Sequence, residues 1–190
     1  MSAAKKYWFL MGLSFLLFLG GQVQAQSPEN LEKKSGFKDI VLGDSIKNFR
    51  PWFKYLDTSP NGYEVYVIRE ENPESRPRYG NLGYLPLQQL NLLVFEGRIL
   101  EIRLFFLLEQ FQDIQSILLK AYGSPNAQAC ETIETETGNR TDCAWQTKRI
   151  GLWCSAINLP ENQKVVVGFQ HFKLITQMRR ALTQAALKDL

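Results

Sequence analysis

Residues 90–106 read LNLLVFEGRILEIRLFF, and this stretch decides how the surrounding chain can fold. Two apolar runs flank residues 96–98, Glu-Gly-Arg, which suit a turn because they are polar and contain a glycine. In the second run, Leu100, Ile102 and Leu104 alternate with charged residues. Alternation with a period of two is typical of a strand that has one buried face and one solvent-exposed face. The stretch therefore predicts an antiparallel hairpin with one exposed face.

The segment after this hairpin predicts the clearest helix of the chain, over residues 109–122. Its apolar side chains form one stripe at helical spacing, made by Phe111, Ile114, Ile117, Leu118 and Tyr122. Gly123 can adopt the left-handed conformation that ends a helix, and Pro125 blocks continuation. Three further strands are predicted over residues 143–147, 150–157 and 164–172, and a final amphipathic helix over residues 176–188.

The chain before the hairpin predicts two more strands with a short helix between them. Residues 37–42 predict a short strand, and residues 63–69 alternate and are rich in aromatic and β-branched side chains. The helix is predicted from capping and apolar side chains at helical spacing, which are Asp44, Ser45, Ile46, Phe49 and Phe53. Pro51 should shorten or kink that helix.

This order of elements predicts an α+β fold. We expect a mostly antiparallel sheet with helices packed on one face, and the pattern suggests two repeated α-β-β-β units plus a C-terminal helix. The prediction is a single domain over residues 36–190, with a boundary between its halves near residue 107.

The first 25 residues carry the three parts of a secretory signal. Two lysines precede an uncharged apolar run over residues 7–19, and residues 23–25, Val-Gln-Ala, supply the small side chains that a signal peptidase reads. The rival interpretation is a membrane anchor, but the apolar run is shorter than the roughly 20 residues that a spanning helix needs. We expect cleavage after Ala25, a flexible mature N-terminus over residues 26–35, and a periplasmic or secreted protein without a stable membrane span.

The predicted cleavage also changes the charge of the chain. Removing residues 1–25 takes away two lysines and no acidic residue, so the net charge falls from +3 to +1. A nearly neutral protein gives no electrostatic argument for binding nucleic acid, and we expect no nucleic-acid partner.

The chain has three cysteines, all of which follow the predicted signal peptide. In an oxidising compartment three cysteines allow one disulfide and one thiol. Cys130 and Cys143 flank a polar stretch that is typical of a hairpin tip. Cys143 and Cys154 would lie opposite each other if residues 148–149 formed a two-residue turn. We favour Cys130–Cys143 over Cys143–Cys154, and a structural role over redox catalysis or metal binding.

Three short motifs resemble a known group of exported bacterial proteins. Residues 36–45 resemble its opening of a strand, Leu-Gly-x-Ser and a helix, and residues 118–125 resemble its helix end Leu-x-x-x-Tyr-Gly-x-Pro. Trp145, with the strand at residues 150–152 after it, is also similar. Together these resemble proteins built on the duplicated helix-plus-sheet unit of the beta-lactamase inhibitor protein and of small lipoproteins of outer-membrane assembly, although the chain has no lipobox. The resemblance covers most of residues 36–172 and implies binding rather than catalysis.

The sequence contains no motif that indicates catalysis. It has no phosphate-binding glycine loop, no G-x-S-x-G and no H-E-x-x-H, and its one histidine, His171, lies in a predicted strand. Four acidic residues fall together on the predicted hairpin tip, where such groups are usually solvated: Glu131, Glu134, Glu136 and Asp142. We therefore expect no enzyme, no cofactor and no metal site. A structural or envelope-maintenance protein, or a hydrolase with an unrecognised site, are the alternatives.

Residues 69–89 are the predicted binding region. This stretch has no periodicity, and it joins two predicted strands that a far shorter turn could connect. Arginine can bind carboxylates or phosphates through paired hydrogen bonds, and tyrosine and arginine are enriched at binding hot spots. The predicted binding residues are Arg69, Arg76, Arg78, Tyr79 and Tyr84. The rival interpretation is a disordered, solvated insertion. We expect a non-catalytic binding or interaction module whose partner is an envelope or extracellular protein or an anionic polymer.

Overall fold

The computed structural model describes residues 29–188, which form twelve strands and four α-helices. In chain order the first half holds α1 (Glu29–Lys34), β1 (Gly36–Phe37), β2 (Ile40–Val41), β3 (Phe53–Thr58), β4 (Glu64–Ile68), α2 (Ser75–Tyr79), β5 (Asn81–Leu82), β6 (Leu85–Pro86), β7 (Gln89–Phe95) and β8 (Arg98–Phe106). The second half holds α3 (Phe111–Tyr122), β9 (Gln128–Thr135), β10 (Gly138–Gln146), β11 (Ile150–Leu159), β12 (Asn162–His171) and α4 (Phe172–Lys188). Two 3-10 turns, Ile46–Phe49 and Leu108–Gln110, precede β3 and α3.

Eight of the strands form one antiparallel sheet, in the order β3-β4-β7-β8-β12-β11-β10-β9. Each half of the chain supplies four strands, and the last strand of each half lies at the centre. These central strands pair with each other, with Leu104 opposite Val167. The predicted α+β class with a mostly antiparallel sheet is therefore confirmed, and each half contributes four strands to the sheet.

The two faces of the sheet are covered by different helices, so the prediction that all helices pack on one face is wrong. Leu92 joins a core cluster with Leu31 of α1 and Ile114 of α3, whereas its neighbour Leu93 packs with Met178 of α4. Successive side chains of a strand point to opposite faces. β7 therefore carries buried leucines on both faces of the sheet. The second face, which the alternation in β8 had predicted to be exposed, needs a cover, and α4 supplies it.

Within residues 29–188, no helix combines the length and the apolar character needed to cross a bilayer.

Two segments near the start of the described chain differ from the sequence-based expectations. The predicted helix around Ile46 is a single 3-10 turn that ends at Phe49, and Phe53 instead begins the edge strand β3. Pro51 accounts for the early end, since proline cannot donate the helical hydrogen bond. Residues 29–34 form α1 rather than a flexible segment, because Leu31 is fully buried in the core. The predicted signal peptide and residues 26–28 lie outside the described residues.

The cysteines lie side by side on three neighbouring strands. A disulfide joins Cys130 to Cys143, as the sequence favoured, and it links β9 to β10. Cys154 of β11 is a buried free thiol and pairs in register with Cys143. Burial, followed by the charge of Asp142, raises the pKa of Cys154 to about 12, so its thiolate is strongly disfavoured.

Candidate binding pocket

The predicted binding region, residues 69–89, is folded and not a structureless loop. It forms α2 and the small hairpin β5–β6, and Tyr79, Leu85 and Leu87 are buried in the main core. The segment thus helps to cover one face of the sheet. Periodicity could not reveal this, because the segment buries isolated side chains and has no continuous apolar stripe.

The five predicted binding residues do not converge on one site. Arg69 forms an ion pair with Glu71 at 3.3 Å, and Arg76 with Glu70 at 2.7 Å. Tyr84 is 74% exposed and projects away from the core. Arg76 also donates a hydrogen bond to the Leu87 carbonyl oxygen at 3.2 Å, so both arginines are paired within the segment.

Arg78 and Tyr79 belong to a cluster of contacts that holds their segment to the rest of the protein. The Arg78 guanidinium forms an ion pair with Asp39 and lies 4.3 Å from the centroid of the Trp52 ring, a cation–π contact. Burial raises the pKa of Asp39, but hydrogen bonding and charge from Arg78 outweigh it and hold that pKa below its usual value. Burial and then the charge of Asp39 raise the pKa of Tyr79 to about 12. This cluster fastens residues 75–79 to the β1–β2 turn.

One wall of a pocket is built by this same segment. We call it the lysine-rimmed pocket, a cavity of about 390 Å³ between the β1–β2 turn, the β5–β6 hairpin and α3. Its apolar lining comes from Phe37, Leu82, Ile117, Leu118, Tyr122 and Phe169, and its cationic groups are Lys34 and Lys38. Small-molecule sites are concave, mostly apolar and usually about 300–1,000 Å³ in volume.

The apolar lining follows from the helix stripe that the sequence predicted. Ile117, Leu118 and Tyr122 lie on the side of α3 that faces the sheet, where Tyr122 makes an edge contact with Phe169 at 6.4 Å between ring centroids. Burial raises the pKa of Tyr122 to about 12, so its hydroxyl stays neutral. Opposite α3, Gly83 has φ +61°, a conformation that favours glycine and lets the β5–β6 hairpin turn beside Ile117.

Lys38 is held in an unusual backbone conformation at the pocket. Its φ is +54°, in the left-handed region that costs a non-glycine residue roughly 1–2 kcal/mol. Its ammonium donates hydrogen bonds to the Arg78 carbonyl oxygen and, at 2.7 Å, to Asn81 Oδ1. Lys34 lies 5.8 Å above the centroid of the Tyr122 ring. Both lysines were missed by sequence reasoning, because no local pattern links residues 34 and 38 to α3.

The acidic residues of the predicted hairpin tip and His171 do not line this pocket. Glu131, Glu134 and Glu136 are exposed on or beside the edge strand β9, and Asp142 forms an ion pair with Arg140 at 2.8 Å. His171 ends β12 and accepts a hydrogen bond at its Nδ1 from the Leu174 amide at 3.4 Å, at the start of α4. In the part of the chain that the structure describes, no group of three or more His, Cys, Asp or Glu side chains is arranged to hold a metal ion.

Comparison with known proteins adds no relative. No family model, no curated protein and no solved structure matches this chain. The resemblance to the duplicated helix-plus-sheet proteins therefore stays a prediction.

Proposed function

We propose that the protein is an exported, non-catalytic binding module whose ligand occupies the lysine-rimmed pocket. The observation that supports this proposal most strongly is the pocket itself, a cavity of about 390 Å³ with aromatic and aliphatic walls and two ammonium groups. Such a lining supplies contact area and fixed positive charge, which are the requirements of a binding site. The Tyr122 hydroxyl, kept neutral by its raised pKa, can donate a hydrogen bond but is poorly suited to act as a base.

The predicted binding region, residues 69–89, takes part in this proposal as one wall of the site. Residues 81–83 line the pocket, while Arg78 and Asp39 fasten the wall to the β1–β2 turn. A wall held by an ion pair and a buried tyrosine is preorganised, and preorganisation lowers the entropic cost of binding.

A pocket-filling substitution tests the site. Ile117→Trp should weaken binding of the neutral apolar dye N-phenyl-1-naphthylamine by about tenfold or more, because the indole would occupy the cavity and remove over 1.4 kcal/mol of binding energy. The measurement is a fluorescence titration of the purified mature protein.

Leu119→Trp is the matched control. Leu119 lies on the same helix but is two residues further on, about 200° around the axis, and it is exposed outside the pocket. The control should bind the dye as the wild type does. Equal dye binding by Ile117→Trp and the wild type, or no binding by the wild type, would exclude the pocket as the binding site.

Export is tested separately. Expression in a bacterial host with the natural N-terminus should yield a periplasmic or secreted protein that begins at Gln26. Intact-mass and N-terminal peptide mass spectrometry measure this directly. A protein that keeps Met1 and sediments with membranes would contradict export by a cleaved signal.

A further inference from the structure

We propose that the ligand of the lysine-rimmed pocket is a small amphipathic anion, with a carboxylate or phosphate head at Lys34 and Lys38 and an apolar body along Tyr122 and Phe169. This inference rests on the proposed function, because it names the ligand class for the same pocket. Its support comes from the charges around the pocket, the donors of Lys38 and the shape of the lining.

The lysines of the pocket, Lys34 and Lys38, have no ion-pair partner among the described residues. The two acidic residues nearest to them in sequence are engaged elsewhere, since Glu32 pairs with Arg149 at 2.6 Å and Asp39 pairs with Arg78. In the described part of the chain, the two ammonium groups at this cavity therefore lack an ion-pair partner, and an anionic ligand would supply one.

Lys38 is also arranged to bind an anion and not merely to extend into solvent. Two of its three N–H donors are directed to neutral oxygens, the Arg78 carbonyl and Asn81 Oδ1, which leaves one donor for a ligand. These two hydrogen bonds fix the position of the charge. Partial burial lowers the pKa of Lys38, and the charge of Asp39 opposes this only in part, so an added negative charge would stabilise the ammonium.

The remainder of the lining suits an unbranched or compact apolar body. Aromatic rings of Phe37, Tyr122 and Phe169 and aliphatic side chains of Leu82 and Ile117 surround the cavity. Its volume of about 390 Å³ is at the lower end of the range for small-molecule sites, which suits a body on the order of ten carbon atoms. Each buried methylene should improve affinity about fourfold until the cavity is filled.

The test compares three ligands that share one chain and differ in head group: decanoate, decanol and decyltrimethylammonium. Each is titrated below its micelle concentration as a competitor of N-phenyl-1-naphthylamine. Decanoate should bind about tenfold or more tightly than decanol, decyltrimethylammonium should bind most weakly, and the advantage of decanoate should shrink as salt is added. Decyl phosphate in a parallel titration, with a chain of matched length, distinguishes a phosphate head from a carboxylate head.

Charge removal identifies the groups responsible. The double variant Lys34→Gln/Lys38→Gln should lower the affinity for decanoate to that of decanol, whereas Lys47→Gln, a lysine outside the pocket, should preserve the difference. If decanoate and decanol bind equally to the wild type, or if the double variant keeps the preference, the proposed ligand class is wrong while the pocket remains a binding site. If the dye binds but none of the competitors displaces it, the proposed ligand class is likewise wrong. If the dye itself does not bind to the wild type, the proposed function fails as well.

Discussion

Replacement of Trp145 by alanine should lower the free energy of unfolding by about 3–5 kcal/mol, the usual cost of removing a fully buried tryptophan. Trp145 on β10 is 1% exposed and packs in the main core, and its Nε1 donates a hydrogen bond to the Gly123 carbonyl oxygen at 2.8 Å. The substitution would leave a cavity and an unsatisfied carbonyl at the end of α3. In a domain of this size the loss corresponds to a fall in Tm of roughly 10 °C or more.

Two control substitutions separate the causes of this effect. Trp145→Phe keeps an aromatic ring but removes the donor, so its cost should be clearly smaller. Trp153→Ala removes a tryptophan from the opposite sheet face that is partly exposed and whose buried Nε1 has no hydrogen-bond partner, so it should also cost less than Trp145→Ala. Urea denaturation of all three variants gives the comparison. Equal losses for Trp145→Ala and Trp153→Ala would contradict the assignment of Trp145 to the core.

Loss of the Cys130–Cys143 disulfide should destabilise the protein by about 3 kcal/mol, the value expected in the chain-entropy model for a bridge between residues 13 apart in sequence. The bridge fastens the edge strand β9, whose side chains are mostly exposed and contribute little core packing. Cys143→Ser should therefore unfold at lower urea concentration than the wild type. A reductant should lower the stability of the wild type but not that of the variant.

The two ends of the bridge should not be equivalent. Cys154 lies directly opposite Cys143, a placement within reach of a disulfide, so Cys130→Ser should form a Cys143–Cys154 bond. Cys143→Ser removes the cysteine common to both pairings and should leave two thiols. Peptide mapping under non-reducing conditions measures both outcomes, and Cys154→Ala is the control that keeps the natural bridge. Two free thiols in oxidised Cys130→Ser would show that the β10–β11 register does not bring the sulfur atoms together.

Local patterns were sufficient where an element depends on neighbours in sequence. The alternation in residues 90–106 and the apolar stripe in residues 109–122 predicted β7, β8 and α3, because side-chain periodicity and backbone geometry are coupled within a few residues. The same patterns failed at Phe53, whose helical spacing from Ile46 and Phe49 was accidental. Pairing with β4 made this residue part of a strand.

The sequence by itself therefore determined the α+β class, the main hairpin and the best helix, whereas it left two cysteine pairings open until the structure joined Cys130 to Cys143. Only the tertiary structure decided that β8 pairs with β12, that α4 covers the second sheet face, and that Lys38, Asn81 and Ile117 line one pocket with Phe169. These residues are far apart in sequence and come together because two four-stranded halves bury their apolar faces jointly. No local spacing encodes such contacts, since they depend on which surfaces remain to be covered after the strands have paired.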